Sequence, residues 1–353
     1  MLSGSLAAAL LAGAWRETPS DSTVSARELD EIAPLLLKSG GGGLAWRRIR
    51  QSDLRDSPAG NQLHQAYRLH TLQGAVLEHK ITQLITFLRS AGCEPILGKG
   101  WAIARLYPDK GLRPYGDVDL YVHPDQHGRT LTALWEPDSP ACPVDLHKGL
   151  AELDDRSFDV VYDRSQLVSL GDAQVRILGP EDNLRLLCLH TLRHGAWRPI
   201  WLCDIGVALE SRSDEFDWDY LLGGSSRRSD WMACAIGLAH QLLGAEVDDT
   251  PVAWRAKHLP RWLVPTLLRQ WGVGQKTPHG DRTRMQSYLL RPAGLIQALR
   301  LRWPNPIEAT VGVRGPFNEL PRLPFQIGDA LLRTSKFLTN APRALLQQYR
   351  ARS

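Results

Sequence analysis

The sequence predicts a mixed α/β protein in which a small sheet lies between helical regions. Short apolar runs rich in Val, Ile, Leu and Tyr, separated by Gly and Pro, are concentrated in residues 93–180, a pattern typical of strands. Apolar residues recur at helical spacing before and after that segment. With 43% hydrophobic and 23% charged residues in 353, the chain has the composition of a folded protein and the length for two domains.

The charge and the cysteine content limit the classes of protein to which the chain can belong. The formal net charge, 42 − 38 = +4, is too small to indicate nucleic-acid binding by itself. The five cysteines are scattered and form no C-x-x-C pair, so they indicate neither a disulfide framework nor a zinc ribbon. A reducing, cytoplasmic location is therefore expected.

Residues 1–92 are predicted to form an N-terminal helical region. The segment "SARELDEIAPLLLKSG" has a Ser N-cap signal, helical spacing of apolar residues and a Gly stop, and a longer segment ending at Gly92 repeats this pattern. The opening "MLSGSLAAALLAGAW" lacks a basic start and is too short to span a bilayer. We expect a first core helix there, with a signal peptide as the alternative.

Residues 93–180 are predicted to form the α/β core. Its strands are expected in "EPILGKG", "DVDLYV", "PVDLHKGL", "FDVVYD" and "AQVRIL", and helices in "WAIARLY" and "GRTLTALW". At "GPEDNLRLLCLHTLRHGAW" the helical period returns, with Pro and acidic residues near the helix start. Residues 181–275 should therefore form a helical domain packed on the core.

Residues 276–353 are predicted to be a basic, Pro-interrupted helical region. A loop or boundary is expected over 272–282, and a helical pattern follows it in "RMQSYLLRPAGLIQALRLRW". From Arg291 onward the acidic residues are only Glu308, Glu319 and Asp329. This basic stretch is predicted to be a solvated helical face, a docking surface for an acidic protein partner or a peripheral membrane contact.

Two aspartates lie one residue apart in the apolar run "GDVDLYV". Side chains alternate along a strand, so Asp117 and Asp119 should project from one side while Val118 and Leu120 face the other. Asp145, in "PVDLH", offers a third carboxylate on the next strand. Three such groups could hold Mg²⁺ or Mn²⁺ for an in-line nucleotidyl transfer. The competing explanation is a D-x-D of the kind common in loops and strand ends.

The segment "ILGKGWAIARLY" predicts a strand, a tight turn and a helix. At the turn, Gly98 and Gly100 would let backbone N–H groups approach phosphates, and Lys99 would add a cation. Arg113, just before the acidic strand, could neutralise a triphosphate. The alternatives are a simple strand-to-helix turn and an arginine that solvates a loop.

Three histidines are candidates for positions close around this site. His147 follows Asp145 by two residues, and His190 and His194 lie four apart on a predicted helix, where they could share one face. Thr191 replaces the Glu of a metalloprotease signature, which disfavours a zinc site. Asp204, in the apolar "WLCDIGVAL", should need a buried partner, expected to be His190, His194 or Arg193.

These elements resemble a known family. "LGKGWAIARLYP", "RPYGDVDLYV", "VDLHKGL" and "LGPEDNLRLLCLHTLRHGAWRPIWLCDIGVAL" follow the order seen in the nucleotidyltransferase superfamily typified by DNA polymerase β. The resemblance covers about residues 30–240 and is greater to the uncharacterised nucleotidyltransferases, often found in natural-product and polysaccharide gene clusters. Many superfamily members have Gly-Gly or Gly-Ser where Lys99 and Gly100 stand. The implied fold is a polymerase-β-like core with a small mixed sheet, flanked by N-terminal helices and a C-terminal helical domain.

The resemblance implies a metal-dependent nucleotidyltransferase. Asp117 and Asp119 would coordinate two Mg²⁺ or Mn²⁺ ions, Asp145 would hold the metal nearest the acceptor, and the turn at residues 98–100 would bind the β and γ phosphates. An NTP such as ATP would donate NMP, with release of pyrophosphate, to a hydroxyl or phosphate of a small molecule, peptide or protein. The alternatives are a toxin-type enzyme acting on tRNA or protein and a non-catalytic NTP-binding scaffold, and the weak charge disfavours an RNA acceptor.

Overall fold

The architecture of the chain is described by a computed structural model over residues 2–19, 24–153, 155–272 and 303–335. The helices are α1 Leu2–Leu11, α2 Ala26–Ser39, α3 Gly42–Ile49, α4 Pro58–Ser90, α5 Gly100–Ala104, α6 His127–Leu134, α7 Phe158–Asp163, α8 Pro180–Arg193, α9 Pro199–Glu210, α10 Trp218–Leu222, α11 Ser226–Leu243, α12 Ala253–Lys257, α13 Leu263–Gly272 and α14 Pro306–Gly312. Residues 323–335 are also helical. The strands are β1 Ile96–Gly98, β2 Val118–Val122, β3 Val144–Lys148, β4 Gln166–Leu170 and β5 Ala173–Ile177.

The five strands form one mixed sheet in the order β3-β2-β1-β5-β4. Strand β1 pairs antiparallel with β2 and parallel with β5, β2 pairs parallel with β3, and β4 with β5 form an antiparallel pair. The small mixed sheet among many helices confirms the predicted fold class. Its central strand, β1, leads directly into the Lys99 turn and α5.

The two faces of the sheet pack against different helices. Leu97, Val118 and Leu120 belong to a core that includes Leu84 and Leu88 of α4. Side chains on the opposite face of the sheet, such as Tyr121, belong to a larger core built with α8, α9 and α11. Val118 and Leu120 thus face α4, as the alternation predicts, and the opposite face of β2 looks toward the helices that follow the sheet.

The N-terminal helices carry the end signals read in the sequence. Ser25 and Glu28 form a capping box at the start of α2, and Gly40 ends this helix in a left-handed conformation with φ 85°. Ser57 caps α4, which runs for 33 residues and has Pro58 in its first turn. No helix of the described residues is both long and apolar enough to cross a membrane.

One strand prediction was wrong. The run "FDVVYD" forms α7, because the Ser157 side chain accepts a hydrogen bond from the backbone N–H of Val160 and so caps a helix. The strand paired with β5 is instead β4, at residues Gln166–Leu170. The predicted strands at β1, β2, β3 and β5 are present.

The division at residues 92, 180 and 275 stays a prediction. The loop expected over 272–282 lies outside the described residues except for its first residue, and so does the Pro-interrupted helical pattern before Trp303. The basic residues from Lys336 onward also lie outside them.

Candidate active site

Parallel pairing of β2 with β3 places the acidic residues side by side. Asp119 is level with Asp145, and Tyr121 is level with His147. Because alternate side chains share a face, all four project from the same side of the sheet. Asp119 is buried, whereas the Asp145 side chain is 59% exposed. The sheet thus holds two of the three predicted carboxylates together at the edge of the larger core.

His147 joins this pair of carboxylates. Its Nε2 lies 3.1 Å from Asp119 Oδ1 and 3.4 Å from Asp145 Oδ2. The imidazole stacks on the ring of Tyr121, with 4.6 Å between centroids and 13° between planes, which fixes its orientation. One ligand atom from each of Asp119, Asp145 and His147 lies within 4.8 Å of the others. These donors fit a divalent cation, and His147 is a closer neighbour of the carboxylates than the sequence indicated.

The turn after β1 places an ammonium group against the same carboxylates. Lys99 has φ 42°, an unusual value for a residue with a side chain. Its Nζ lies 2.8 Å from Asp119 Oδ1 and its side chain is 13% exposed. A Cβ at Gly98 would lie 2.5 Å from Cε2 of Tyr121, so this position needs glycine. Lys99 already holds a positive charge at the place where a metal would neutralise Asp119.

The charges of the cluster support one another. Burial would raise the pKa of Asp119, but the hydrogen bond with His147 and the charge of Lys99 outweigh it and hold that pKa below its usual value. The hydrogen bond to Asp119 raises the pKa of His147, against the effect of burial and with help from Asp145. Asp119 is therefore an anion held between the Lys99 ammonium and the His147 imidazole.

Asp117 lies at the edge of this arrangement. It precedes β2, its side chain is exposed, and it is not among the three residues whose ligand atoms converge. Its backbone carbonyl approaches the turn, since a Cβ at Gly100 would lie 3.3 Å from that oxygen. The structure therefore places Asp117 next to the predicted phosphate turn, and its role as a metal ligand stays a prediction.

Arg113 is held by a buried ion pair. Its Nη2 donates to Asp204 Oδ2 at 2.8 Å, and Tyr107 Oη donates to Oδ1 of the same carboxylate, also at 2.8 Å. Asp204 is fully buried. Burial opposes the charge of Arg113, yet the nearby Asp204 raises the pKa of the guanidinium above its ordinary value. The expected partners of Asp204, namely His190, His194 and Arg193, were wrong: its partners come from the segment before β2.

His190 and His194 form a ring pair at the end of α8. Their centroids are 4.5 Å apart, and that of His190 is 5.0 Å from Trp201. Burial, then the charge of Lys99, lowers the pKa of His190 well below its usual range, while Asp119 acts in the opposite direction. His190 Nδ1 has no hydrogen-bond partner in the described part of the chain. A neutral imidazole thus lies within electrostatic reach of the cluster.

Arg198 was not predicted as a site residue. Its Nε donates to Ser39 O at 3.0 Å, and its guanidinium lies 5.5 Å from the Trp197 ring centroid and 5.6 Å from that of Trp201. Burial, then the charge of Arg113, lowers the pKa of Arg198, whereas the charges of Asp204 and then Asp117 raise it. The signal in the sequence is an arginine next to tryptophan in "HGAWRPIW". Arg198 lies near the segment before β2, since a Cβ at Gly40 would be 2.9 Å from its Nη2 and 3.2 Å from Cγ of Pro114.

The arrangement combines two chemical abilities. The carboxylates and imidazole of Asp119, Asp145 and His147 can hold a hard divalent cation. The turn at residues 98–100 and its lysine can receive anionic oxygens directly beside it. A metal-bound phosphate ester is the class of ligand that uses both.

A sequence model of the family described as uncharacterised nucleotidyltransferase matches residues 25–244, more than half of the chain. The comparison with curated proteins gave no match. Among solved structures, the chain is similar to an antigenic nucleotidyltransferase-like protein from Paracoccidioides brasiliensis, with 15% identity and a TM-score of 0.36 over 52% of this chain and 92% of that chain.

Proposed function

The chain belongs to the uncharacterised nucleotidyltransferase family, and we propose that it transfers a nucleoside monophosphate from an NTP to a hydroxyl or phosphate oxygen of an acceptor. The observation that carries the proposal is the position of Asp119, level with Asp145 on the next strand and 2.8 Å from Lys99 of the turn. Family membership supports the class of reaction, and this geometry supports the place where it occurs.

The proposed metal ligands are Asp119 and Asp145, with Asp117 from the position directly before β2. Carboxylate oxygens suit Mg²⁺ or Mn²⁺. When bound, the metal lowers the pKa of the acceptor hydroxyl and polarises the phosphoryl oxygens. His147 contacts both clustered carboxylates, so its proposed role is to orient them.

The turn would hold the triphosphate. Backbone N–H groups of residues 98–100 and the ammonium of Lys99 bind the β and γ phosphates, and Arg198 adds positive charge near the segment before β2. The charge of Arg113 is already balanced by Asp204. The acceptor oxygen forms a bond to the α-phosphorus, and the bond from that phosphorus to the oxygen bridging to the β-phosphate breaks. Pyrophosphate leaves, and the acceptor proton passes to solvent. ATP is the first nucleotide to test.

The proposed acceptor is a small molecule, a peptide or a protein in the cytoplasm, with natural-product or polysaccharide biosynthesis as the setting. The formal charge of +4 gives no support to an RNA acceptor.

The test measures pyrophosphate released from each NTP with Mg²⁺ or Mn²⁺ in a cell extract supplemented with purified protein. Asp119→Asn should reduce release about a hundredfold or more, because several kcal/mol of charge stabilisation are lost. Asp172→Asn makes the same chemical change in the exposed turn between β4 and β5 and should match the wild type. Unchanged release by folded Asp119→Asn protein would remove Asp119 from the mechanism.

A further inference from the structure

A cavity opens at the end of α8, outside the proposed active site. It has a volume of about 640 Å³ and lies between the last turn of α8, the first turn of α11, α14 and the helical residues 323–335. Sites for small molecules commonly have volumes of about 300–1,000 Å³. The cavity is therefore large enough for a ligand the size of a sugar phosphate.

The lining of this cavity is rich in arginine. Arg193, Arg227 and Arg314 line it, are exposed, and form no ion pair with any carboxylate of the residues that the structure describes. The other two arginines are paired, Arg228 with Asp155 at 2.8 Å and Arg333 with Glu308 at 2.8 Å. Glu308 is a carboxylate of the same lining and pairs with Arg333, so among the described residues three of the five guanidinium groups have no ion-pair partner. Guanidinium is the side chain best matched to phosphate oxygens.

Arg314 occupies a backbone position where glycine is usual. It follows α14 in a left-handed conformation with φ 54°. The N–H of Arg314 donates to Val311 O at 2.9 Å and that of Gly315 to Thr310 O at 2.7 Å, the bond pattern of a Schellman helix end. An L-residue with a side chain costs roughly 1 kcal/mol in this conformation. An arginine that lines a cavity in a strained position, with no ion-pair partner in the part of the chain that the structure describes, suggests a binding role.

The cavity adjoins the proposed active site through α8. His194 lines the cavity, and its ring lies 4.5 Å from that of His190 one turn earlier. The same helix packs on the turn after β1, since a Cβ at Gly98 would lie 3.5 Å from Cδ2 of Leu186. Helix α8 thus carries residues of the cavity at its end and a residue that packs on the nucleotide turn one to two turns earlier.

We propose that this cavity binds the phosphate monoester of a small phosphorylated acceptor. The inference rests on the proposed function, because it assigns the second substrate of the same reaction. The proposed binding site of the NTP phosphates is the Lys99 turn, so we assign the arginines of the cavity to the acceptor. The anchoring phosphate keeps its bonds. A hydroxyl oxygen of the same molecule forms the bond to the α-phosphorus, the bond from that phosphorus to the α–β bridging oxygen breaks, pyrophosphate leaves and the hydroxyl proton passes to solvent.

The test is calorimetric titration of the full chain with inorganic phosphate and with glucose 6-phosphate, without NTP or metal. Arg227→Gln/Arg314→Gln and Arg193→Gln should each weaken binding about tenfold or more, because charge-assisted phosphate contacts are lost. Arg27→Gln, which neutralises an exposed arginine on α2, should bind like the wild type. Lys99→Gln reports separately on any phosphate bound at the nucleotide turn, because Lys99 belongs to that site.

Two results would overturn the assignment. One is undiminished phosphate binding in the cavity variants together with its loss in Lys99→Gln, which would place the anion at the nucleotide turn alone. The other is weaker binding of a single-stranded RNA by the cavity variants with no change for either phosphate probe, which would make the arginines a polynucleotide surface. Since no NTP is present, these titrations stand whether or not Asp119→Asn retains pyrophosphate release.

Discussion

Single residues decide the charge balance of the site. Asp119 is buried between Lys99 and His147, and Tyr121 supports the imidazole by stacking. The sequence predicted the carboxylates from the alternation of side chains in a strand. It could not place His147 against Asp119, because their contact depends on the register between β2 and β3. The segment "VDLH", which follows a strand with two aspartates, indicated that His147 is near the site but not which atoms it contacts.

Lys99 should compete with a metal for Asp119, because its ammonium lies 2.8 Å from the carboxylate oxygen. Lys99→Gln is expected to bind Mn²⁺ roughly tenfold more tightly without nucleotide and ATP roughly tenfold more weakly, each change being about 1.4 kcal/mol. Free Mn²⁺ measured by electron paramagnetic resonance and calorimetric ATP titration check the two effects. Lys110→Gln, whose lysine pairs with Glu78, is the matched control. Equal Mn²⁺ affinity in wild type and Lys99→Gln would show that the lysine does not compete.

The strands could largely be predicted from the sequence, whereas the contacts between secondary-structure elements could not. Strands β1, β2, β3 and β5 follow from apolar runs, whereas α7 formed where a strand was expected because Ser157 caps a helix. The prediction of the buried partner of Asp204 was also wrong, because it considered only residues close in the sequence. Tyr107 and Arg113 reach it from about ninety residues earlier in the chain. Local spacing pointed to α8, and only the packing of α9 on the segment before β2 brings these groups together.

The far end of α9 is fixed to the N-terminal region by Glu210. Trp15 Nε1 and Arg16 Nε each donate to Glu210 Oε2 at 2.9 Å, and Glu246 N donates to Oε1 at 3.1 Å. Burial acts against the carboxylate, but these donors lower the pKa of Glu210 below the usual value. Because the folded-state pKa is depressed, this stabilisation is present above the unfolded pKa, near 4.5, and is lost as pH falls through the folded value.

Glu210→Gln should therefore destabilise the protein by about 2 kcal/mol at pH 7, the range of hydrogen bonds to charged groups. The difference in free energy of unfolding between wild type and variant should shrink as the pH falls below about 5. Urea denaturation at a series of pH values measures it. Glu136→Gln, at an exposed glutamate, is the control. A difference that stays constant with pH would contradict the assigned ion pair.

At the scale of the whole molecule, the sheet separates two environments. Helix α4 covers one face, and the other face, which carries Asp119 and Tyr121, meets the helices from α8 onward. The sequence predicted this sandwich of helices around a small sheet, because strand-like and helical patterns occupy separate stretches. It did not predict that arginines from α8, α11 and the turn after α14 meet at one cavity. That meeting depends on contacts between segments up to about 120 residues apart in the printed sequence.

Nucleotidyl transfer is tested most directly by following the two ends of the triphosphate. Protein, Mg²⁺ and cell extract are incubated with ATP labelled at either the α- or the γ-phosphate, and with each other NTP in the same way. We predict that an acceptor becomes labelled from the α-phosphate of at least one NTP and that the γ label appears in the released pyrophosphate. Asp119→Asn should form neither labelled product. Transfer of the γ label to an acceptor would show a kinase instead, and no α label on any acceptor with any NTP would contradict the proposed reaction.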